Sequence, residues 1–212
     1  HLGLITPEEH PQINQIREHI QSTVERYVDV ERVLSIAQSA SVLEGQETGI
    51  SAEGGVFERV VERASLRIGV FQDTAFTFYY PENLEALEQG GAELVPIHSL
   101  EDRSLPEIDL LYIGGGFPET HAEQLAANGE LRRAVREAAA DGLPIYAECG
   151  GLIYLSRSLR WKEQTYPMTG VFPVDLELEQ RPCGHGYCEA QVDQPNSFFR
   201  PGTVLRGHEF HY

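Results

Sequence analysis

An α/β domain built on a mostly parallel sheet is predicted by two features of this sequence. From Leu66 onward, short apolar runs alternate with amphipathic segments of helix length, the pattern of strands joined by crossover helices. Two of those runs end in glycine-rich turns, Gly114-Gly115-Gly116 and Cys149-Gly150-Gly151. Parallel sheets place their sites outside the carboxyl ends of strands, where both turns fall. The remaining segments, 1–40 and 41–64, do not share this grammar.

In residues 1–40, Pro7-Glu8-Glu9 supplies a helix start. Ile13, Ile16, Ile20, Val24 and Tyr27 then recur at three- and four-residue steps. A second short stripe, Val30, Val33, Leu34 and Ala37, follows Asp29. These helices have no strands nearby to pack on and read as the tail of an upstream domain. Residues 41–64 lose apolar periodicity and collect Ser, Glu and Gly, as in Glu53-Gly54-Gly55, which reads as a linker. Residues 65–212 form the α/β domain. Strands are predicted at 66–71, 92–97, 109–113 and 143–147, with helices at 81–89, 118–140 (interrupted near Asn128-Gly129) and 151–159. Beyond Trp161 the expectation is short antiparallel strands at 170–176, 186–192 and 203–210.

Composition narrows the functional classes. A net charge of −17 opposes sequence-independent binding to nucleic acid or to anionic membrane, since phosphates are repelled. No apolar run reaches the roughly 18 residues of a membrane span, and the first residues have no signal-peptide pattern. The three cysteines are an odd count that does not suit a secreted disulfide framework, so a reduced, cytoplasmic protein is expected. Cys183 and Cys188 flank Gly184-His185-Gly186-Tyr187, a spacing too loose for a zinc site, which usually shows two compact ligand pairs. No metal is expected in this chain.

The Ile145-Tyr146-Ala147-Glu148-Cys149-Gly150-Gly151-Leu152 stretch has the form of a nucleophile elbow, a strand turning sharply into a helix with a reactive side chain at the tip. Small residues suit the bend because the backbone is tight there and a substrate must approach. A thiol at that point sits near a helix N-terminus, which favours the nucleophilic thiolate. A small buried cysteine at a strand end is the competing reading. The triple glycine loop exposes backbone N–H groups, and Pro118 suits the first turn of the following helix. It has neither the Gly-Lys-Ser/Thr of a Walker loop nor a Gly-x-Gly-x-x-Gly pattern. An oxyanion hole fits better, with Gly150 giving one N–H and Gly115 or Gly116 the other. Two ordinary tight turns remain the alternative.

Four segments carry a family resemblance: Phe71 to Leu84, Tyr112 to Glu119, Tyr146 to Leu155, and Arg206-Gly-His-Glu-Phe-His-Tyr212. Together they resemble the glutaminase domain of cobyrinic acid a,c-diamide synthases, a class I glutamine amidotransferase of the triad type. The fold this implies is a flavodoxin-like three-layer sandwich. Residues 1–40, opening His-Leu-Gly-Leu-Ile-Thr-Pro-Glu-Glu, look like the end of the family's ATP-dependent amidoligase domain. The resemblance implies that Cys149 attacks the carboxamide of L-glutamine and that the ammonia passes to the synthetase domain. There ATP, with Mg2+, would activate the a and c carboxylates of a corrin precursor. No cofactor is expected in the present fragment, which has no P-loop.

The resemblance also implies an activating histidine beyond Tyr212, leaving the glutaminase domain incomplete at its C-terminus. His211 is expected near the glutamine pocket, with His208 or Glu209 supporting loops. Strand alternation puts His208 and His211 on opposite faces. Tyr79 and Tyr80 would line the site, an interface or the core, and Glu148 would act as a hydrogen-bonding neighbour of the nucleophile. His98, His121 and His185 read as surface or core histidines. Amidation of nickel sirohydrochlorin or hydrogenobyrinic acid by the same family, a stand-alone cysteine hydrolase of flavodoxin-like architecture, and a non-enzymatic interaction module are the other readings.

Overall fold

A computed structural model describes residues 12–40, 65–179, 181 and 183–211. The chain divides into two compact units, His1–Arg59 and Val60–Tyr212. In the first, α1 (Ile13–Tyr27) and α2 (Val30–Gln38) are helical where the apolar stripes predict. Asp29 caps α2 by accepting the Arg32 N–H at 3.0 Å. Ile20, Val24 and Tyr27 on the stripe are exposed. The expected helix start at Pro7 and the linker at 41–64 lie outside the described residues.

The second unit begins with β1 (Arg67–Phe71), α3 (Pro81–Gln89), β2 (Glu93–Ile97) and β3 (Leu110–Ile113). It continues with α4 (Ala122–Ala127), α5 (Gly129–Ala140), β4 (Ile145–Ala147) and α6 (Gly150–Leu155). The four strands form one parallel sheet in the order β2-β1-β3-β4. Alternation along β3 distributes its side chains to two faces. Leu111 and Ile113 join Leu125, Leu131, Val135, Tyr154 and Leu155 from α4, α5 and α6 in the larger core. Tyr112 joins Ile68, Val70 and, from α3, Leu84 and Leu87 on the opposite face. Helices thus cover both faces, the three-layer arrangement the alternating pattern predicts. Each fully buried Leu or Ile here contributes roughly 1.5–3 kcal/mol from desolvation, so the α4–α6 face dominates the stability.

The 118–140 segment is interrupted at Asn128 as expected, and Asn128 caps α5, its side-chain oxygen accepting the Leu131 N–H. Its amide also donates to the carbonyls of Ser99 and Asp102, both at 2.8 Å. Several boundaries differ from the sequence expectation. Pro118 lies in a turn ahead of α4 rather than in a first helical turn. The helix predicted to reach Leu159 stops at Leu155, because Ser156 is extended (φ −65°, ψ 170°) and its hydroxyl donates to the Ile153 carbonyl. Residues 158–161 instead form strand β5 (Ser158–Trp161). β5 pairs antiparallel with β6 (Gln164–Pro167), which the sequence did not suggest, and parallel with β7 (Asp175–Glu177). The expectation of a purely antiparallel region after Trp161 is therefore corrected. The last hairpin, β8 (Gly184–Gln191) with β9 (Val204–His211), is antiparallel as expected.

Candidate active site

The site is built where β3 and β4 end side by side. Tyr112 pairs with Tyr146 and Ile113 with Ala147 in register, so the turns that follow both strands emerge as neighbours. After β4, the Glu148 N–H donates to the Ile113 carbonyl at 3.0 Å, and the Glu148 carbonyl accepts the Gly151 N–H at 2.8 Å. Between those anchors Cys149 takes φ 48° and ψ −107°. A non-glycine residue in this region is strained by about 1–3 kcal/mol and needs its surroundings to hold it. Cys149 is exposed at the tip, and its carbonyl accepts the Leu152 and Ile153 N–H groups that open α6. A Cβ on Gly151 would lie 2.5 Å from the Ile113 carbonyl oxygen, so only glycine permits this turn against β3.

The loop after β3 packs against the same turn. A Cβ built on Gly115 would stand 3.5 Å from the Cys149 Cβ. One on Gly150 would stand 2.9 Å from the Pro118 Cδ and 3.2 Å from the Gly116 nitrogen. Gly116 has no room for a Cβ at all, since it would fall within the Ala75 carbonyl oxygen. The N–H groups of the triple glycine differ in their engagements. Gly114 donates to the Tyr79 hydroxyl at 2.8 Å, and Gly115 donates to the Phe78 carbonyl at 3.3 Å. Among the described residues the buried Gly116 N–H has no acceptor, and neither has the Gly150 N–H at the start of α6.

The partner of the glycine loop is the segment after β1. The Phe78 N–H donates to the Gly115 carbonyl at 3.0 Å, and the Phe117 N–H to the Ala75 carbonyl at 3.0 Å. Asp73 holds this segment in shape. Its Oδ1 accepts the N–H groups of Ala75 and Phe76 at 2.9 and 3.3 Å. Its Oδ2 accepts the Ser99 hydroxyl at 2.6 Å and the Leu100 N–H at 3.3 Å. Sequence reasoning passed over Asp73. An acidic residue just past a strand end, followed by small residues, is the available signal for such a turn. Of the two tyrosines singled out, Tyr79 is the one at the loop, and its phenol pKa is raised by burial. Tyr80 is 73% exposed.

Glu148 lies beside the elbow on the α3 face of the sheet. Tyr146 donates to its Oε1 at 3.0 Å and Tyr112 to its Oε2 at 3.4 Å. Burial, and then the Glu148 charge, push the Tyr112 phenol up to about 12. Burial and the hydrogen bond to Glu148 raise Tyr146 as well. Both tyrosines therefore stay protonated and donate. Tyr79, Tyr112, Tyr146 and Phe198 stack edge-on in succession, with centroids 5.2, 5.5 and 5.4 Å apart. Glu119, two residues before His121, is 6% exposed, and burial raises its carboxyl pKa.

The histidines fall at separate places, with His185 and His208 in contact. His121 bridges the hydroxyls of Thr74 and Thr120 at 3.0 and 2.9 Å. His208 packs with His185 and Tyr187 on one face of the last hairpin. His211 lies over Gly184 and 3.7 Å from Glu209, on the other face, as strand alternation predicts. It occupies the hairpin end opposite the 192–203 connection that carries Phe198 to Tyr146. These contacts bring together Cys149, Gly115, Gly116 and Gly150, but not His211.

Residues 67–212 match the family of CobB/CobQ-like glutamine amidotransferase domains. A cobyrinate a,c-diamide synthase of Methanothermobacter thermautotrophicus is 40% identical over 212 residues, covering 100% of this chain and 45% of that protein. The synthase of the same name from Archaeoglobus fulgidus is 39% identical over 215 residues, covering 100% and 44%. That from Listeria monocytogenes serotype 4b is 38% identical over 212 residues, covering 100% and 45%. The chain thus spans less than half the length of these curated relatives. A solved glutamine amidotransferase aligns with 68% of this chain and 70% of its own, at 20% identity and a TM-score of 0.46.

Proposed function

Since the chain belongs to the CobB/CobQ-like glutamine amidotransferase domain family, we propose that Cys149 is its glutaminase nucleophile. The Cys149 thiolate attacks the side-chain carboxamide carbon of L-glutamine, and the carbonyl becomes a tetrahedral oxyanion. Gly116 and Gly150 donate their N–H groups to that oxygen, a stabilisation made only as charge develops. Collapse breaks the C–N bond, and the nitrogen leaves as ammonia after taking up a proton. The thioester left on Cys149 is hydrolysed by water to glutamate and the free thiol. A histidine serves as the base that the thiol needs, and the resemblance puts it beyond Tyr212.

The observation carrying this reading is the backbone of Cys149, held at φ 48° between two N–H groups that have no acceptor among the described residues. Gly115 is set aside as donor, because its N–H is already directed to the Phe78 carbonyl. The relatives' name supports a destination for the ammonia, the a and c carboxylates of a corrin precursor in cobalamin biosynthesis. Activation of those carboxylates by ATP with Mg2+ falls to a synthetase part of the protein. No helix among the described residues is long and apolar enough to cross a membrane.

The test is Cys149→Ser in the full-length protein. Glutamine-dependent amidation should disappear while amidation from added ammonium persists. Equal loss of both activities removes Cys149 from the glutaminase role.

A further inference from the structure

Three carboxylates lie around the elbow, and they differ in what they have left to offer. Asp73 is occupied by four donors, two on each oxygen. Glu119 is almost fully buried. Glu148 is half-buried, immediately precedes Cys149, and has each oxygen fixed by one phenol. A carboxylate oxygen accepts two hydrogen bonds, so one site on each remains open. Among the described residues no Lys, Arg or His nitrogen pairs with it. It is a rigid, uncompensated negative charge next to the nucleophile.

Glutamine brings a cation of its own. When its carboxamide carbon is at the Cys149 thiol, the extended substrate carries its α-ammonium about 5 Å away, and consecutive Cα atoms are about 3.8 Å apart. Glu148, one residue before the nucleophile, is the half-buried carboxylate adjacent to it in sequence that keeps acceptor sites open. We infer that Glu148, clamped by Tyr112 and Tyr146, binds the α-ammonium group of the glutamine substrate and selects for it. This rests on the glutaminase reading of Cys149. The clamp matters because a carboxylate already immobilised loses little freedom on binding, and an ammonium–carboxylate hydrogen bond is among the stronger kinds.

The experiment compares glutamine with 4-carbamoylbutanoate, the same amide without the ammonium group, in the full-length protein. Glu148→Gln keeps the shape and removes the charge. It should raise KM for glutamine by about tenfold or more while leaving kcat within a few-fold, as expected for loss of a charged contact made equally in ground and transition states. The analogue's kcat/KM should not change, so the preference for glutamine collapses. Tyr146→Phe loosens the clamp and keeps the charge. It should raise the glutamine KM by a few-fold with the analogue again unaffected, and it stands in if Glu148→Gln does not fold. Equal losses on both substrates, or no change on either, overturn the assignment. Wild-type protein that hydrolyses neither amide overturns the glutaminase reading itself, and this inference with it.

Discussion

Gly116 and Gly150 face each other across the gap between the two glycine-rich turns. A methyl group on Gly150 would come within 3.2 Å of the Gly116 nitrogen. The close approach brings together, next to Cys149, two N–H groups that have no acceptor among the described residues. Substitution Gly150→Ala should block that space and crowd Pro118, lowering kcat for glutamine hydrolysis by about 100- to 1,000-fold. Alkylation of the thiol by a small neutral reagent should continue. Steady-state kinetics and mass spectrometry of the alkylated protein read the two effects separately.

Asp73 acts at a distance through the loop it holds. Asp73→Ala leaves the N–H groups of Ala75 and Leu100 and the Ser99 hydroxyl without their carboxylate acceptor, while the Phe76 N–H keeps the Asp73 carbonyl. The loss should be about 2–3 kcal/mol in denaturant unfolding, in the range for hydrogen bonds to a charged group. Because Ala75 and Phe78 hold Gly115 and Phe117, glutaminase activity should fall as well.

Glu119 gives a pH signature. Burial raises its carboxyl pKa in the folded protein, so the stability it contributes is present below the ordinary carboxylate pKa. That stability is lost as pH rises through the folded value. Glu119→Gln, which never ionises, should therefore raise Tm relative to wild type at pH 7. The gain should vanish near pH 4. Thermal melts at both pH values check the sign.

Tyr154 is fully buried among Phe71 and Phe76, and among the described residues its hydroxyl has no hydrogen-bond partner. Removing an unsatisfied buried hydroxyl relieves its desolvation cost, so Tyr154→Phe should stabilise the protein by about 1 kcal/mol. Chemical denaturation of the two proteins measures it.

The parts legible in the sequence are those decided by near neighbours. Ile145 to Gly151 reads as strand, tip and helix because the bend needs small residues at fixed offsets, and β1, β2 and β3 follow from short apolar runs between turn residues. The β5–β6 pair was not legible. Leu152, Leu155 and Leu159 keep helical spacing, and only the pairing of Leu159 with Tyr166 and Leu176 makes the last of them a strand residue. Asp73 was hidden because its strongest partner, Ser99, is 26 residues away. Gly115 and Gly116 are indistinguishable as letters, and the contact with Phe78 alone separates the engaged N–H from the unengaged one.

Covalent labelling decides whether Cys149 is a nucleophile aimed at glutamine. The full-length protein is treated with a diazoketone analogue of glutamine and digested, and the adduct is located by mass spectrometry. Cys183 and Cys188, also exposed, serve as internal controls. One adduct on Cys149, prevented by excess glutamine, is the predicted result. Labelling spread evenly over the three cysteines, or unaffected by glutamine, would remove Cys149 from that role.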